Sequence, residues 1–387
     1  MVKDMCKFKY LIVFCVYLNP LCLAFANDTS AQDDIAVLKS QIAALQAALT
    51  ALEKKVSKQA TNLETTTSIT ASSSPSVTDE KNDHTVRAYA TVRPTFGYID
   101  SQGQSEFDVR DALSHAGIKA TKQFNTDWQA ILHGEWGIDL ANQGNFGKSR
   151  QVYVALDSPY GRIGIGKQRP TQYLFIAEYV DIFNHSSSPF AYDPESLFFV
   201  DNLITYQITK HNLTWMAVAQ FNGQQGDAYS DLFNAGVSYD HNGLHSALTY
   251  QQQDVYDNQT ELGEDEIFAA SLAYEFSSGL YLALSYQDKQ YQRLNQNDDR
   301  NGHTLDISSA FPIGHHHKIK LGYFDFSSGF EGEHNQDYNG HNITLEWLPT
   351  ESLRLHLEYL AKDFDAQENF YSWSVGFRYD YSQQWSY

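Results

Sequence analysis

The residues of this chain that could do chemistry are charged and imidazole side chains, and their spacing suits electrostatics better than catalysis. Between Pro170 and Phe199 four acids, Glu178, Asp181, Asp193 and Glu195, sit among Tyr173, Phe175, Ile176, Tyr179, Ile182 and Phe183. A long segment this apolar packs on protein surface instead of remaining in solvent, and it carries its acids with it. More acids crowd other polar stretches: Asp254, Asp257, Glu261, Glu264, Asp265 and Glu266, then Asp298 and Asp299, then Glu331 and Glu333. A rim of one sign concentrates counter-ions. His315, His316 and His317 invite a metal reading, but consecutive side chains beside a turn diverge and no second ligand cluster accompanies them. No nucleophile motif stands out among the many Ser, His and Asp residues. Cys6, Cys15 and Cys22 all lie in the first 22 residues. If that segment is removed, disulfide scaffolds, thiol catalysis and Cys-ligated metals are excluded. The chain is therefore read as a non-enzyme without a cofactor.

Composition narrows the class. Acids outnumber Lys and Arg by 47 to 27, for a formal charge of −20, so a nucleic-acid partner is not expected. The mean hydropathy of −0.45 is too polar for a helical membrane protein, while 14% aromatic residues is high for a soluble enzyme. Lys3, Lys7 and Lys9 precede the apolar run Leu11–Leu18, and Ala24-Phe25-Ala26 offers small residues at the peptidase positions. Residues 1–26 read as an export signal, since the apolar run is far short of the about 20 residues that span a bilayer. Residues 33–58 read as a helix whose Ile35, Leu38, Ile42, Leu45, Leu49, Leu52 and Val56 form an a/d seam, a self-associating coiled coil in the periplasm. Ile at a with Leu at d leans towards a dimer. Residues 59–85, rich in Ser and Thr, read as a flexible linker.

From Val86 to Tyr387 the pattern becomes strict alternation. Leu353, Leu355, Leu357 and Tyr359 alternate with Arg354, His356 and Glu358; Leu280, Leu282, Leu284 and Tyr286 alternate with Tyr281, Ala283, Ser285 and Gln287. Successive strand residues face opposite sides, so each segment is greasy on one face and wet on the other. A soluble sandwich alternates too. Three features separate the cases: segments long enough for a tilted membrane crossing, aromatics at strand ends, and connections alternating between short turns and long polar loops. Short turns fall near 125–127, 157–161, 210–212, 240–243, 277–279, 312–314 and 349–351. Longer loops fall near 101–105, 142–146, 170–199, 222–229, 254–265, 291–300, 328–337 and 364–369. These connections predict an all-β, 16-stranded antiparallel transmembrane β-barrel preceded by the short helix. A barrel that wide, lined by Arg354, His356, Glu358, Glu346, Thr344, Gln287 and Arg378, cannot have a dry core. The expected function is passage of ions and small hydrophilic solutes, with 170–199 folded inward to narrow the pore.

Ser114-His115-Ala116-Gly117-Ile118-Lys119, Trp128-Gln129-Ala130, Arg150-Gln151-Val152-Tyr153-Val154-Ala155-Leu156, Gly161-Arg162-Ile163-Gly164-Ile165-Gly166-Lys167-Gln168 and Val200-Asp201-Asn202-Leu203-Ile204-Thr205-Tyr206 carry a further signal. Over roughly 86–387 the chain resembles the general trimeric porins of Gram-negative bacteria. The resemblance implies an outer-membrane homotrimer and a third loop folded into the channel, whose acids face a basic wall. On this chain the acids are Glu178, Asp181, Asp193 and Glu195, and the basic side is His115, Lys119, Lys167 and Arg169. His115 stands where the family usually has Arg, and Phe199 where another Arg is common, so the wall is less basic than the family pattern. The helix and linker are additions to that pattern.

The acid excess predicts weak cation preference, and divalent cations bridging the acidic loops to lipopolysaccharide. A substrate-selective pore of the phosphate or oligosaccharide type is the alternative, and an outer-membrane barrel enzyme the rival class. Residues 27–85 could also tether the protein to peptidoglycan. The chain ends ambiguously: either the last strand runs to Tyr387, or a short tail follows Tyr381.

Overall fold

A computed structural model describes residues 84–142, 144–184, 193–222, 231–257, 260–295, 298–332 and 335–387. The export signal, the coiled-coil seam from Ile35 to Val56 and the linker up to residue 83 lie outside the described residues.

The described chain is nearly all strand. In order these are β1 (His84–Val92), β2 (Pro94–Ser101), β3 (Gln104–Asp111), β4 (His115–Gln123), β5 (Gln129–Ile138), β6 (Phe146–Ser158), β7 (Gly161–Gln168), β8 (Val200–Lys210) and β9 (Leu213–Gln220). They continue as β10 (Leu232–His241), β11 (Leu244–Asp257), β12 (Thr260–Glu275), β13 (Tyr281–Arg293), β14 (Arg300–Ile313), β15 (His317–Ser327), β16 (Tyr338–Trp347), β17 (Leu353–Phe364) and β18 (Phe370–Ser386).

These 18 segments make 16 staves. β1 and β2 are two halves of one stave, interrupted at Arg93, because both pair with β18. β3 and β4 are likewise one stave, interrupted at 112–114: β2 pairs with β3 and β1 with β4. Pro94 has no N–H to continue the ladder, and at the break Ala112 N donates to Arg93 O at 2.9 Å while Arg93 N donates to Ser114 Oγ at 2.7 Å. From β4 onward every stave pairs antiparallel with the next, and β18 returns to β1 with Thr85 opposite Ser386. The ring is closed, so no backbone edge is left where lipid would surround it.

Burial is inverted relative to a soluble protein. On β13, Leu282, Leu284 and Tyr286 are 41–45% exposed, whereas Ala283, Ser285 and Gln287 are 1–5% exposed. On β17 the exposed residues are Leu355 and Leu357, and the buried ones His356 and Glu358. The alternation thus points its apolar parity at lipid. Tyr160, Trp215, Phe276, Phe311 and Trp347 stand exposed beside the short turns, where amphipathic rings suit the membrane interface. One of these turns is Asn242-Gly243, with φ of 50° and 82°, the left-handed pair that a two-residue hairpin demands.

Two loop expectations need correction. The stretch near 254–265 is ladder: β11 runs to Asp257 and β12 starts at Thr260, across a register shift at Val255/Tyr256. The Tyr250 hydroxyl on Glu266 (2.6 Å) and Arg293 on Asp265 (2.8 Å) hold that hairpin, so its acids stand on strand. The loop near 101–105 shrinks to Gln102-Gly103, both with positive φ. The ambiguous terminus is strand, since β18 continues to Ser386 against β1.

Ile343, midway along β16 and 46% exposed, tests the lipid-facing assignment. Ile343→Arg is expected to cost about 2–4 kcal/mol of stability in vesicles. Urea titration of vesicle-folded protein reads this, and an unchanged midpoint would contradict the orientation.

Candidate functional site

Residues 170–184 and 193–199 lie inside the ring, because the side chains that hold them belong to the inward parity of the wall. The first of these stretches starts with a π-helical turn, Tyr173–Ala177, and a short helix, Glu178–Val180. Gln172 is buried; its Nε2 donates to Gln287 Oε1 (2.8 Å), its backbone N–H to Asn234 Oδ1 (2.7 Å), and Thr249 Oγ1 donates to its Oε1. Its carbonyls are then taken one after another. Ser271 Oγ donates to Phe175 O at 2.6 Å, Tyr281 OH to Tyr179 O at 2.6 Å, Ser308 Oγ to Val180 O at 2.6 Å, and Lys320 Nζ to Ile182 O at 2.8 Å. Asn184 closes the row, donating to Glu346 (2.9 Å) and Glu358 (3.0 Å). Apolar contacts reinforce it: Phe183 joins Phe324, Phe326, Tyr338 and Leu360 in one cluster. Gly322 makes room for it, since a Cβ there would stand 2.5 Å from the Phe183 ring.

The predicted site residues divide into groups. Asp193 and Glu195 are anchors. Asp193 is buried, pairs with the fully buried Lys289 at 2.7 Å, and accepts from Gln287 and Thr304. Glu195 pairs with Lys289 (3.4 Å) and Arg300 (3.1 Å), and the Tyr291 hydroxyl donates to it. Glu178 and Asp181 are the loop acids left to face basic groups: Arg169 acts electrostatically on both, and Arg93 on Asp181. Withdrawal from bulk water pushes the Asp181 carboxyl up to about 6, against the pull of Arg93 and Arg169. The same desolvation raises Glu178.

On the basic side, Arg169 stacks over Tyr173 (4.1 Å) and Phe198 (4.7 Å), and Arg150 over Phe199 (4.8 Å). Phe199, read as a missing arginine, thus serves as a π face for two of them. His115 lies on β4, its Nε2 3.9 Å from Glu135, which also binds Arg150 at 2.8 Å and the Tyr89 hydroxyl at 2.7 Å. Lys119 is on the same strand, with Arg162, Asp157 and Arg87 as its charged neighbours. Lys167 is set apart from the loop acids, pairing with the exposed Asp201 at 2.9 Å.

Sequence reasoning missed Arg93, Arg150, Lys289 and Lys320 as site residues, and noted Arg354 and Arg378 only as inward-facing. Parity signalled Lys289, which shares the inward parity of Ser285 and Gln287, but it misleads for Arg150, which precedes the exposed Val152 and Val154 at even spacing and yet is buried because β5 and β6 slip register at Glu135/Trp136. The slip turns Arg150 inward, and no spacing rule shows it.

A closed ring of 16 staves holding a long internal loop agrees with the family comparison, in which residues 65–387 match the model of the Gram-negative porins. The chain belongs to the Gram-negative porin family. No curated protein sequence matches it significantly. Among solved structures it is similar to an anion-selective porin from Comamonas acidovorans, at 18% identity and TM-score 0.61, over 77% of this chain and 100% of that one. It is also similar to Salmonella typhi OmpF in complex with daunomycin (14%, 0.60, 78% and 98%) and to a trimer form of OmpT from Vibrio cholerae (15%, 0.60, 77% and 99%). This porin is an outer-membrane channel protein.

One cluster in the porin imitates a catalytic set. Asp240 Oδ1 lies 2.7 Å from His245 Nδ1, and His245 Nε2 lies 3.2 Å from Ser271 Oγ. However, both Ser271 Oγ and His245 Nε2 contact Phe175 O, and Tyr179 stacks on the imidazole with 3.3 Å between ring centres. The hydroxyl is committed to the loop and covered by it, so the trio is an anchor. Among the described residues no group of three or more His, Cys, Asp and Glu is placed to hold a metal.

Two outcomes follow from the anchors. Lys289→Met leaves Asp193 buried without its cation and is expected to cost about 3–5 kcal/mol, read by urea unfolding in detergent. In single-channel recordings, lowering pH from 7.5 to 5 neutralises Asp181 as it passes its raised pKa of about 6. The cation share of the current is then expected to fall, and Asp181→Asn to abolish that step; an identical pH response in the variant would contradict the assignment.

Proposed function

We propose that this porin is a passive diffusion channel for ions and small hydrophilic solutes, its bore set by the loop at 170–199. The observation that carries the reading is the row of loop carbonyls bonded to inward wall side chains, which puts a folded segment across a polar interior. On this reading Glu178 and Asp181 face Arg93 and Arg169 across the narrow part, with His115 and Lys119 further along the wall. Asp193, Glu195 and Lys167 act by holding the loop and the neighbouring wall.

Weak cation preference arises at the outer mouth, where the β11–β12 hairpin carries Asp254, Asp257, Glu261, Glu264, Asp265 and Glu266. The same acids are suited to divalent cations bridging to lipopolysaccharide. In the assembly the barrel works as a homotrimer, a reading supported by the solved trimer of the Vibrio protein. Residues 33–58 form a periplasmic coiled coil that adds contacts between copies or to peptidoglycan. A phosphate-selective pore is the second reading, favoured by the basic groups Arg93, Arg354, Arg378 and Lys320 inside the ring.

Reversal potentials of the purified full chain in a planar bilayer, across a tenfold KCl gradient, test this. Cation preference is expected at about 0.01 M, where the screening length is about 30 Å, and near loss of preference at about 1 M, where it is about 3 Å. Anion preference at low salt would overturn the mouth assignment, and absence of conductance would overturn the channel.

A further inference from the structure

Below the internal loop, towards the short-turn end, lies a second feature that the passage of solutes does not by itself require. A cavity of about 380 Å³ is roofed by Asp181, Phe183 and Asn184 and reaches Gly279 and Leu348 at the turns. Its walls carry Arg93, Lys318, Lys320, Arg354 and Arg378, drawn from the β1/β2 break and from β15, β17 and β18. The acids on the same lining are Asp181, Glu275 and Glu346.

The pairings are uneven. Glu346 is taken by Lys320 at 2.7 Å and by Asn184. Arg378 is held by Asp380 at 2.9 Å, an acid that also accepts from Thr91 and stands 4.0 Å from Arg354. Arg93 donates to the Phe183 carbonyl at 3.2 Å, and its Nε has no hydrogen-bond partner among the described residues; the same holds for Arg354 Nε. Arg378 is the leading like charge acting on both Arg93 and Arg354. Arg378 thus repels both Arg93 and Arg354 around a cavity whose lining holds five basic side chains against three acids, one of which, Glu346, is already taken. Guanidinium forks match oxyanions with paired N–H donors, and such contacts are about twice as strong as neutral ones.

We propose that this cavity is a subsite for a small multivalent oxyanion, with phosphate as its chemical type, held by Arg93, Arg354 and Arg378 with Lys318 at its lower edge. The inference rests on the channel reading above and adds a station within it. It lies at the opposite end of the ring from the acidic mouth, so the mouth gathers cations while the vestibule below the loop retains an anion. An anion there screens the three guanidiniums and lowers the free chloride that the vestibule would otherwise hold.

The test uses the full chain in planar bilayers of neutral phosphatidylcholine, so that dissolved phosphate is the sole phosphate able to enter. Inorganic phosphate is titrated at constant ionic strength in KCl, from each side in turn, and the half-blocking concentration is read. Block of the unaltered channel is expected at a lower concentration from one side than from the other. The double variant Arg354→Gln/Arg378→Gln is expected to raise the half-blocking concentration about tenfold or more, as loss of charge-assisted bonds implies. Arg87→Gln, a lumenal charge outside the cavity, is expected to leave it unchanged. Equal shifts in both variants, or no shift in the double variant, would overturn the subsite in favour of general lumenal electrostatics. Lys318→Gln, with an expected smaller rise, serves if the double variant does not fold. A silent bilayer with unaltered protein would count against the channel itself and not against the cavity.

Discussion

In hydrocarbon an unpaired peptide group costs several kcal/mol, and water cannot compensate it. The pairing of β18 with β1, from Thr91 opposite Asp380 to Thr85 opposite Ser386, removes the last two edges of the sheet. Everything else in the molecule depends on that closure. It dictates that β18 extend to Ser386, which a shorter strand ending at Tyr381 could not satisfy. It also makes the sheet two-sided, with lipid outside and a lumen within, and so turns simple alternation into an inverted protein with leucines exposed and glutamates buried.

The interior then has to be satisfied. Sixteen staves enclose more volume than their own side chains fill. The inward parity carries Gln287, Lys289, Thr304, Ser308, Lys320, Glu346 and Glu358, which need partners or water. The internal loop provides many of them: its carbonyls from Phe175 to Phe183 accept from the wall, and its Asp193 and Glu195 neutralise Lys289 and Arg300. Each neutral bond contributes about 1 kcal/mol, so the row as a whole is enough to keep a segment with three buried aromatic rings fixed inside a hydrated passage. Acids and bases inside the ring are consequently of two kinds. Some hold the loop, as Lys289, Arg300 and Arg93 do, and others, such as Asp181 and Arg354, are the ones that the proposed channel reading assigns to what passes.

The alternation of residue types was legible in the sequence and so was the strand count, because a period of two with short turns and long loops admits few other arrangements. Leu282 and Leu284 against Ser285 and Gln287 revealed which face met lipid. The internal loop was legible from its composition, as Tyr173, Phe175 and Phe183 could not stay in solvent. Its electrostatics were less so. Asp193 and Asp181 look alike in sequence, and only the partners reveal that one is an anchor and the other faces Arg93. Likewise Arg93 comes from a break in the ladder, and Arg150 from a register slip, neither of which leaves a periodic trace. The hairpin at 254–265 looked like a loop because its acids hide the alternation that the ladder obeys.

The most direct measurement of the central claim is the swelling of liposomes containing the purified full chain in sugars of graded size, compared with a variant lacking residues 174–195. A closed, hollow ring narrowed by its own loop predicts that small sugars enter through the full chain, and that larger ones enter once the loop is removed. Liposomes that stay tight to the smallest sugar, or an unchanged size limit in the shortened protein, would contradict it.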